Sequence, residues 1–199
     1  MKREIKTALT KQKILESAFH VFANAGYKAA SMQDIANDAD ISKGIIYHYF
    51  KDKNDLYLTC AGIVFNELAD VLGKTGDGGI DAYFSARSAW FASNPDKAAM
   101  FCEVLLFYPQ ELQEKMQKCR QRYDEANRCV LKAVLAGKQL RNGYQEEDVQ
   151  RIFEAFQNFL NAQYRRSLIA HDTRAIVQHD KDSRAVLQIF LYGIVDEKR

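Results

Sequence analysis

The segment from Ser31 to Lys53, SMQDIANDADISKGIIYHYFKDK, leaves room for little except two short helices joined by a tight turn. Ser31 is a favourable N-cap, and Met32, Ile35 and Ala36 recur at i, i+3 and i+4, giving one apolar face to a helix of about two turns. Asp38-Ala39-Asp40 interrupts that periodicity. Ile41 then re-enters the core and Ser42 caps a second helix, with Ile45, Ile46, Tyr49 and Phe50 expected on its buried side and Lys43, Gly44, Tyr47 and His48 outside. Two helices so spaced form a helix-turn-helix, whose second helix fits a DNA major groove.

The formal charge of +2 is small for a nucleic-acid partner until it is divided along the chain. Residues 1–55 carry nine Lys or Arg against seven Asp or Glu, so the whole excess is N-terminal. Lys2, Arg3, Lys6, Lys11 and Lys13 face only Glu4 in sequence, an arm or helix edge suited to phosphates or a minor groove; a solvated, frayed terminus would have the same composition.

The pattern extends from Thr10 to Leu58: a helix from Lys11 to Asn24 ending at Ala25-Gly26-Tyr27, then Ser31, Ile35-Ala36, Ala39, Ile41-Ser42, Lys43-Gly44, Tyr47-His48-Tyr49-Phe50, Lys53 and Leu56. At these residues the chain resembles the tetracycline-repressor (TetR) family of bacterial transcription regulators. The resemblance implies a DNA-binding surface of Ser31, Ser42, Lys43, Gly44, Tyr47, His48, Tyr49 and Lys53. In it Lys43 and Gly44 meet base edges, while Tyr47, His48 and Lys53 hold phosphates. Two positions depart from the family pattern. Asp40 stands where glycine is usual in the turn, and Asp tolerates the left-handed conformation better than most residues. Tyr49 stands where histidine is usual, which puts its DNA contact in question.

Beyond the motif, apolar spacing is helical throughout, with no strand-like alternation and no repeat. Helices are expected over 53–72, 80–93, 96–108, 110–140, 148–170 and 184–195, with GKTGDGG at 73–79 as a joint and a polar stretch at 171–183 holding at most one helical turn. The chain is therefore read as all-α. A three-helix, helix-turn-helix domain occupies 1–55, and a larger helical domain for ligand binding and dimerisation occupies 56–199.

Composition narrows the function classes. With 47% hydrophobic residues the chain can bury a core. No apolar run approaches the roughly 18–20 residues of a membrane span, and the Lys2-Arg3-Glu4 start carries no apolar signal, so a cytoplasmic protein with no membrane partner is expected. Cys60, Cys102, Cys119 and Cys129 lack metal-ligand spacing and are read as packing residues. No catalytic constellation, metal site or cofactor motif is visible, so an enzyme is not expected.

Two further surfaces are expected in the C-terminal part. Phe156, Phe159, Leu160, Ile189, Phe190 and Ile194 exceed what one inner face needs, and pairing with a second copy would cover them, which also resembles how the family forms homodimers. Trp90, Phe101, Leu105 and Tyr123 belong to an aromatic-rich set that could line an apolar effector cavity or simply form core. The expected function is a homodimeric repressor released from a palindromic operator in double-stranded DNA by a small apolar or aromatic effector. The alternative is a DNA-bound adaptor that recruits a protein and has no effector.

Overall fold

The computed structural model describes residues 2–76, 78–169 and 173–194. Among them the fold is all-α, without strands: α1 (Lys2–Ala29), α2 (Met32–Asp38), α3 (Lys43–Tyr49), α4 (Lys53–Gly73), α5 (Gly79–Ser93), α6 (Pro95–Leu106), α7 (Gln113–Leu135), α8 (Glu146–Ile169) and α9 (Thr173–Ile194). Two compact units form, one of Met1–Asn66 with Asn94–Gln121 and the other of Glu67–Ser93 with Arg122–Arg199. Compactness thus groups α6 with the helix-turn-helix.

In the first unit, Ile14, Ala18 and Phe22 of α1 recur at helical spacing and are fully buried with Ile35, Ile46, Leu56 and Met100. Tyr57 lies edge-on between Phe22 and Tyr27, with ring centroids 5.1 and 4.8 Å away. Its hydroxyl is buried with no hydrogen-bond partner among the described residues. α6 packs along α1. There His20 Nδ1 lies 3.3 Å from Asp96, and the Lys97 ammonium lies 5.5 Å from the Phe19 ring centroid.

In the second unit, α5 and α8 both pack on α9. Tyr83, Phe84, Trp90, Phe91, Tyr123, Leu131, Val149 and Leu187 are buried there. Arg87 is buried too, its guanidinium 5.2 Å from the Phe91 ring centroid. The Tyr83 hydroxyl donates to Asn127 Oδ1 at 2.7 Å, and Asn127 in turn donates to the Tyr123 carbonyl at 2.8 Å.

Several boundaries differ from expectation for identifiable reasons. α1 begins at Lys2 rather than Lys11; Ile5, Ala8 and Leu9 stand at helical spacing in its first turns but stay exposed, so they form no core face. α7 stops at Leu135 rather than near Leu140, where Gly137 takes φ 72° and ends the helix. α9 is continuous from Thr173, where a polar break was expected. Among the described residues its buried stripe is His179, Ser183, Leu187 and Leu191, so two polar side chains lie on the inward face and apolar spacing alone misses it. α4, finally, reaches a mean hydropathy of 1.3 and is long and apolar enough by composition to cross a membrane, contrary to the sequence reading. Leu56, Tyr57, Cys60, Ala61, Val64 and Phe65 on it are wholly buried in protein, which accounts for that apolarity.

Candidate nucleic-acid interface

The turn between α2 and α3 is built from side chains that satisfy backbone groups locally. The Ser31 hydroxyl accepts from the Asp34 amide at 3.1 Å, and the Asp34 carboxylate accepts from the Ser31 amide at 2.9 Å and its hydroxyl at 2.7 Å. This reciprocal cap starts α2. The Ser31 hydroxyl is also the main reason the Asp34 carboxyl is held below the usual carboxylate range. At the other end Asp40 adopts φ 46°, the left-handed conformation anticipated for it, and the Ile41 amide reaches back to the Ala36 carbonyl at 3.0 Å.

α3 is anchored by two fully buried side chains, Ile46 and Phe50, four residues apart. Lys43, Gly44, Tyr47 and His48 are exposed, as the periodicity predicts, and Tyr49 is half-buried. The Lys43 ammonium sits 5.8 Å from the Tyr47 ring centroid on one flank. His48 and Tyr49 meet edge to face at 5.3 Å.

Three expectations on this element require correction. Ile45 was placed on the buried side but is 40% exposed: it lies about 100° around the helix from Ile46, beyond the arc that a two-turn helix can bury. Ile41 is half-buried rather than a core residue. Ser42 occupies the N-cap position with extended backbone, yet its hydroxyl makes no capping hydrogen bond.

Gly44 has open surroundings. A Cβ built there meets nothing nearer than the Ser42 hydroxyl at 4.0 Å. The fold therefore does not demand glycine, although glycine within a helix costs about 0.5–1 kcal/mol relative to alanine.

Behind this face, Lys53 makes contacts that the sequence did not reveal. Its ammonium donates to the carbonyls of Tyr27 at 2.8 Å and Ala30 at 3.0 Å, and lies 4.2 Å from the Tyr27 ring centroid. Two of its three N–H groups thus fasten the end of α1 to the start of α4. Lys6, Lys11 and Lys13 are exposed; the side chains of Lys2 and Arg3 lie outside the described residues.

A second unforeseen residue is Glu103 of α6. Its carboxylate accepts from the Tyr27 amide at 2.7 Å, immediately after α1 breaks at Gly26 with φ 71°. A Cβ at Gly26 would lie 3.4 Å from Glu103 Oε1. The Tyr27 hydroxyl donates to Asn54, so Tyr27 links α6 to α4. No sequence signal joins Glu103 to Tyr27, because the pair is 76 residues apart.

The remaining candidates divide between the units. Phe101 is buried and Leu105 half-buried on α6 in the first, whereas Trp90 on α5 and Tyr123 on α7 are buried in the second. A partly open cleft in the second unit, with free space of about 10 Å³, is lined by Ile80, Tyr83, Asn127, Val130, Leu131, Val134, Phe153 and Leu187, and by none of those four. Phe156, Phe159 and Ile189 are exposed, Phe190 is half-buried, and Leu160 is already buried within its own unit. The Ile194 side chain lies outside the described residues. Cys129 is exposed, unlike the buried Cys60.

Residues 14–60 match the family model for bacterial regulatory proteins of the tetR family. The chain is 33% identical over 69 residues to the HTH-type transcriptional repressor AcnR of Corynebacterium diphtheriae, a match covering 35% of this chain and 36% of that repressor. Its fold is similar to a putative tetR family transcription regulator from Shewanella sp. PV-4, with TM-score 0.65 and 22% identity over 94% of this chain and 99% of that one. It is also similar to the transcriptional regulator FadR of Bacillus subtilis, whose structure holds stearoyl-CoA, with TM-score 0.64 and 16% identity over 89% of this chain and 97% of that one.

Proposed function

We propose, from the match of residues 14–60 to the tetR family of bacterial regulatory proteins, that this chain is a cytoplasmic, homodimeric repressor that binds a palindromic operator and is released by a small apolar or aromatic effector. The observation that carries the reading is the outward face of α3, where Lys43, Gly44, Tyr47 and His48 are exposed together over a firmly buried Ile46 and Phe50.

Lys43 donates to guanine O6 or N7, and Gly44 lets the backbone approach the groove, which is a use for a glycine the fold itself does not require. Tyr47 and His48 hold phosphates, joined by the Ser42 hydroxyl at the start of α3 and by the half-buried Tyr49 at the edge, while Ser31, whose hydroxyl proton is committed to Asp34, serves the surface by capping α2. Lys53 has one N–H left for a phosphate, and its main part is to hold α1 and α4 in register beneath the reading face.

Two copies joined through the faces of Phe156, Phe159 and Ile189 present two α3 helices about one turn of DNA, or a small multiple, apart. Residues 1–55 act as the DNA-binding part and 56–199 as the effector and dimer part. The effector enters the second unit, where Trp90 and Tyr123 are buried although neither lines the described cleft. It weakens operator binding only by its preference for the released conformation, about 1–3 kcal/mol or roughly 5- to 150-fold. The cleft's free space of about 10 Å³ is far below the usual range of small-molecule sites, which favours one second reading, a DNA-bound adaptor that recruits a protein and takes no effector.

The test has two stages. Duplexes enriched from a randomised pool should be bound by the parent and with relaxed base preference by Lys43→Ala. A ligand panel should then contain apolar compounds that change Trp90 emission and weaken the same DNA. Equal base preference in parent and variant would overturn the reading; ligands inert toward both signals would leave the adaptor.

A further inference from the structure

We infer that Ile45 is a specificity residue that reads the 5-methyl group of a thymine in each operator half-site. The inference rests on α3 as the major-groove element.

The outer surface of α3 has two flanks. Lys43 and Tyr47, four residues apart, form one and are in cation–π contact at 5.8 Å. Ile45 and Tyr49, also four apart, form the other, and Gly44 and His48 lie between them. On the first flank the chemistry is a cation and a hydroxyl, suited to acceptors. The second flank ends in a branched hydrocarbon, 40% exposed, that can neither donate nor accept.

Ile45 is not one of the buried anchors of α3. The core contacts of α3 are supplied by Ile46 and Phe50, which are almost wholly buried. A β-branched side chain gives up χ1 freedom in a helix, so local propensity disfavours it as well. What an exposed apolar group on a groove-reading face fits is the single apolar feature of the major groove, the thymine C5 methyl. Lys43 on one flank and Ile45 on the other would make a half-site with a guanine and a thymine at separate positions. The polar residues alone would not require that thymine.

The experiment uses the full-length protein and the duplex it enriches from a randomised pool. Each thymine of that duplex is replaced singly by deoxyuridine, which keeps every hydrogen-bonding atom and deletes only the methyl, and affinity is read by fluorescence anisotropy at fixed salt. One thymine per half-site should lower parent affinity about fourfold when replaced, the loss expected for one buried methyl. Ile45→Ala should bind the thymine and uracil duplexes equally, and Ile45→Val, which keeps a branched methyl pair, should retain a penalty. An enriched site without an invariant thymine, or a uracil penalty that persists in Ile45→Ala, overturns this assignment while leaving the proposed function standing. Failure to enrich any duplex overturns both.

Discussion

At the residue scale the structure separates positions held by the fold from positions left for a partner. Gly44 and Tyr57 illustrate the two cases. Gly44→Ala fills open space on a helix, so it should raise unfolding free energy by about 0.5–1 kcal/mol in a denaturant titration, yet weaken DNA binding by obstructing close approach. Tyr57→Phe removes a buried hydroxyl without a partner and keeps the ring between Phe22 and Tyr27, so the gain should be about 1 kcal/mol with DNA binding unchanged. Ser31→Ala should cost about 1 kcal/mol through the lost cap. That cap also has a pH signature. Asp34 has a lowered folded-state pKa, so its stabilisation is present above the ordinary carboxylate range and is lost as pH falls through the folded value. The difference between parent and Ser31→Ala should therefore shrink in acid without vanishing, because the Ser31 hydroxyl still accepts from the Asp34 amide; a difference unchanged there would show that the carboxylate takes no part.

At the element scale, the helix-turn-helix was legible because its determinants are local. Ser31 with Asp34, Asp40 at φ 46° and the pair Ile46 and Phe50 all lie within a few residues of the structure they specify. Ile45 was misplaced because a seven-residue helix buries a narrower arc than its apolar residues suggest. The full reach of α9 was hidden behind His179 and Ser183, polar residues on an inward stripe. The linkage of α6 to α1 through Glu103 depends on chain topology, about which local periodicity is silent. This linkage predicts a mutational pattern. Glu103→Ala leaves the Tyr27 amide without its acceptor and should destabilise by about 1–3 kcal/mol. Glu103→Gln keeps a neutral acceptor and should recover most of that loss. Chemical denaturation of the three proteins checks the order, and equal stability of Glu103→Ala and the parent would contradict it.

At the scale of the whole molecule, the proposed dimer would turn one α3 into a reader of palindromic sites. Phe159 is 56% exposed and Ile189 72% exposed in the single chain, so a charge at either position should leave the fold intact. Buried in an interface, the same charge is costly without a partner. Phe159→Glu and Ile189→Glu should therefore keep the parent's helical content, sediment as monomers and lose operator binding together. A stable, DNA-binding dimer of either variant would move the interface elsewhere. The central claim, that the outer face of α3 reads the major groove from a two-fold dimer, is tested most directly by methylation protection of guanine N7 on the enriched duplex. Two symmetric protected patches about one helical turn or a small multiple apart are expected, each losing a guanine in Lys43→Ala. Bound DNA whose guanine N7 atoms stay uniformly reactive would contradict it.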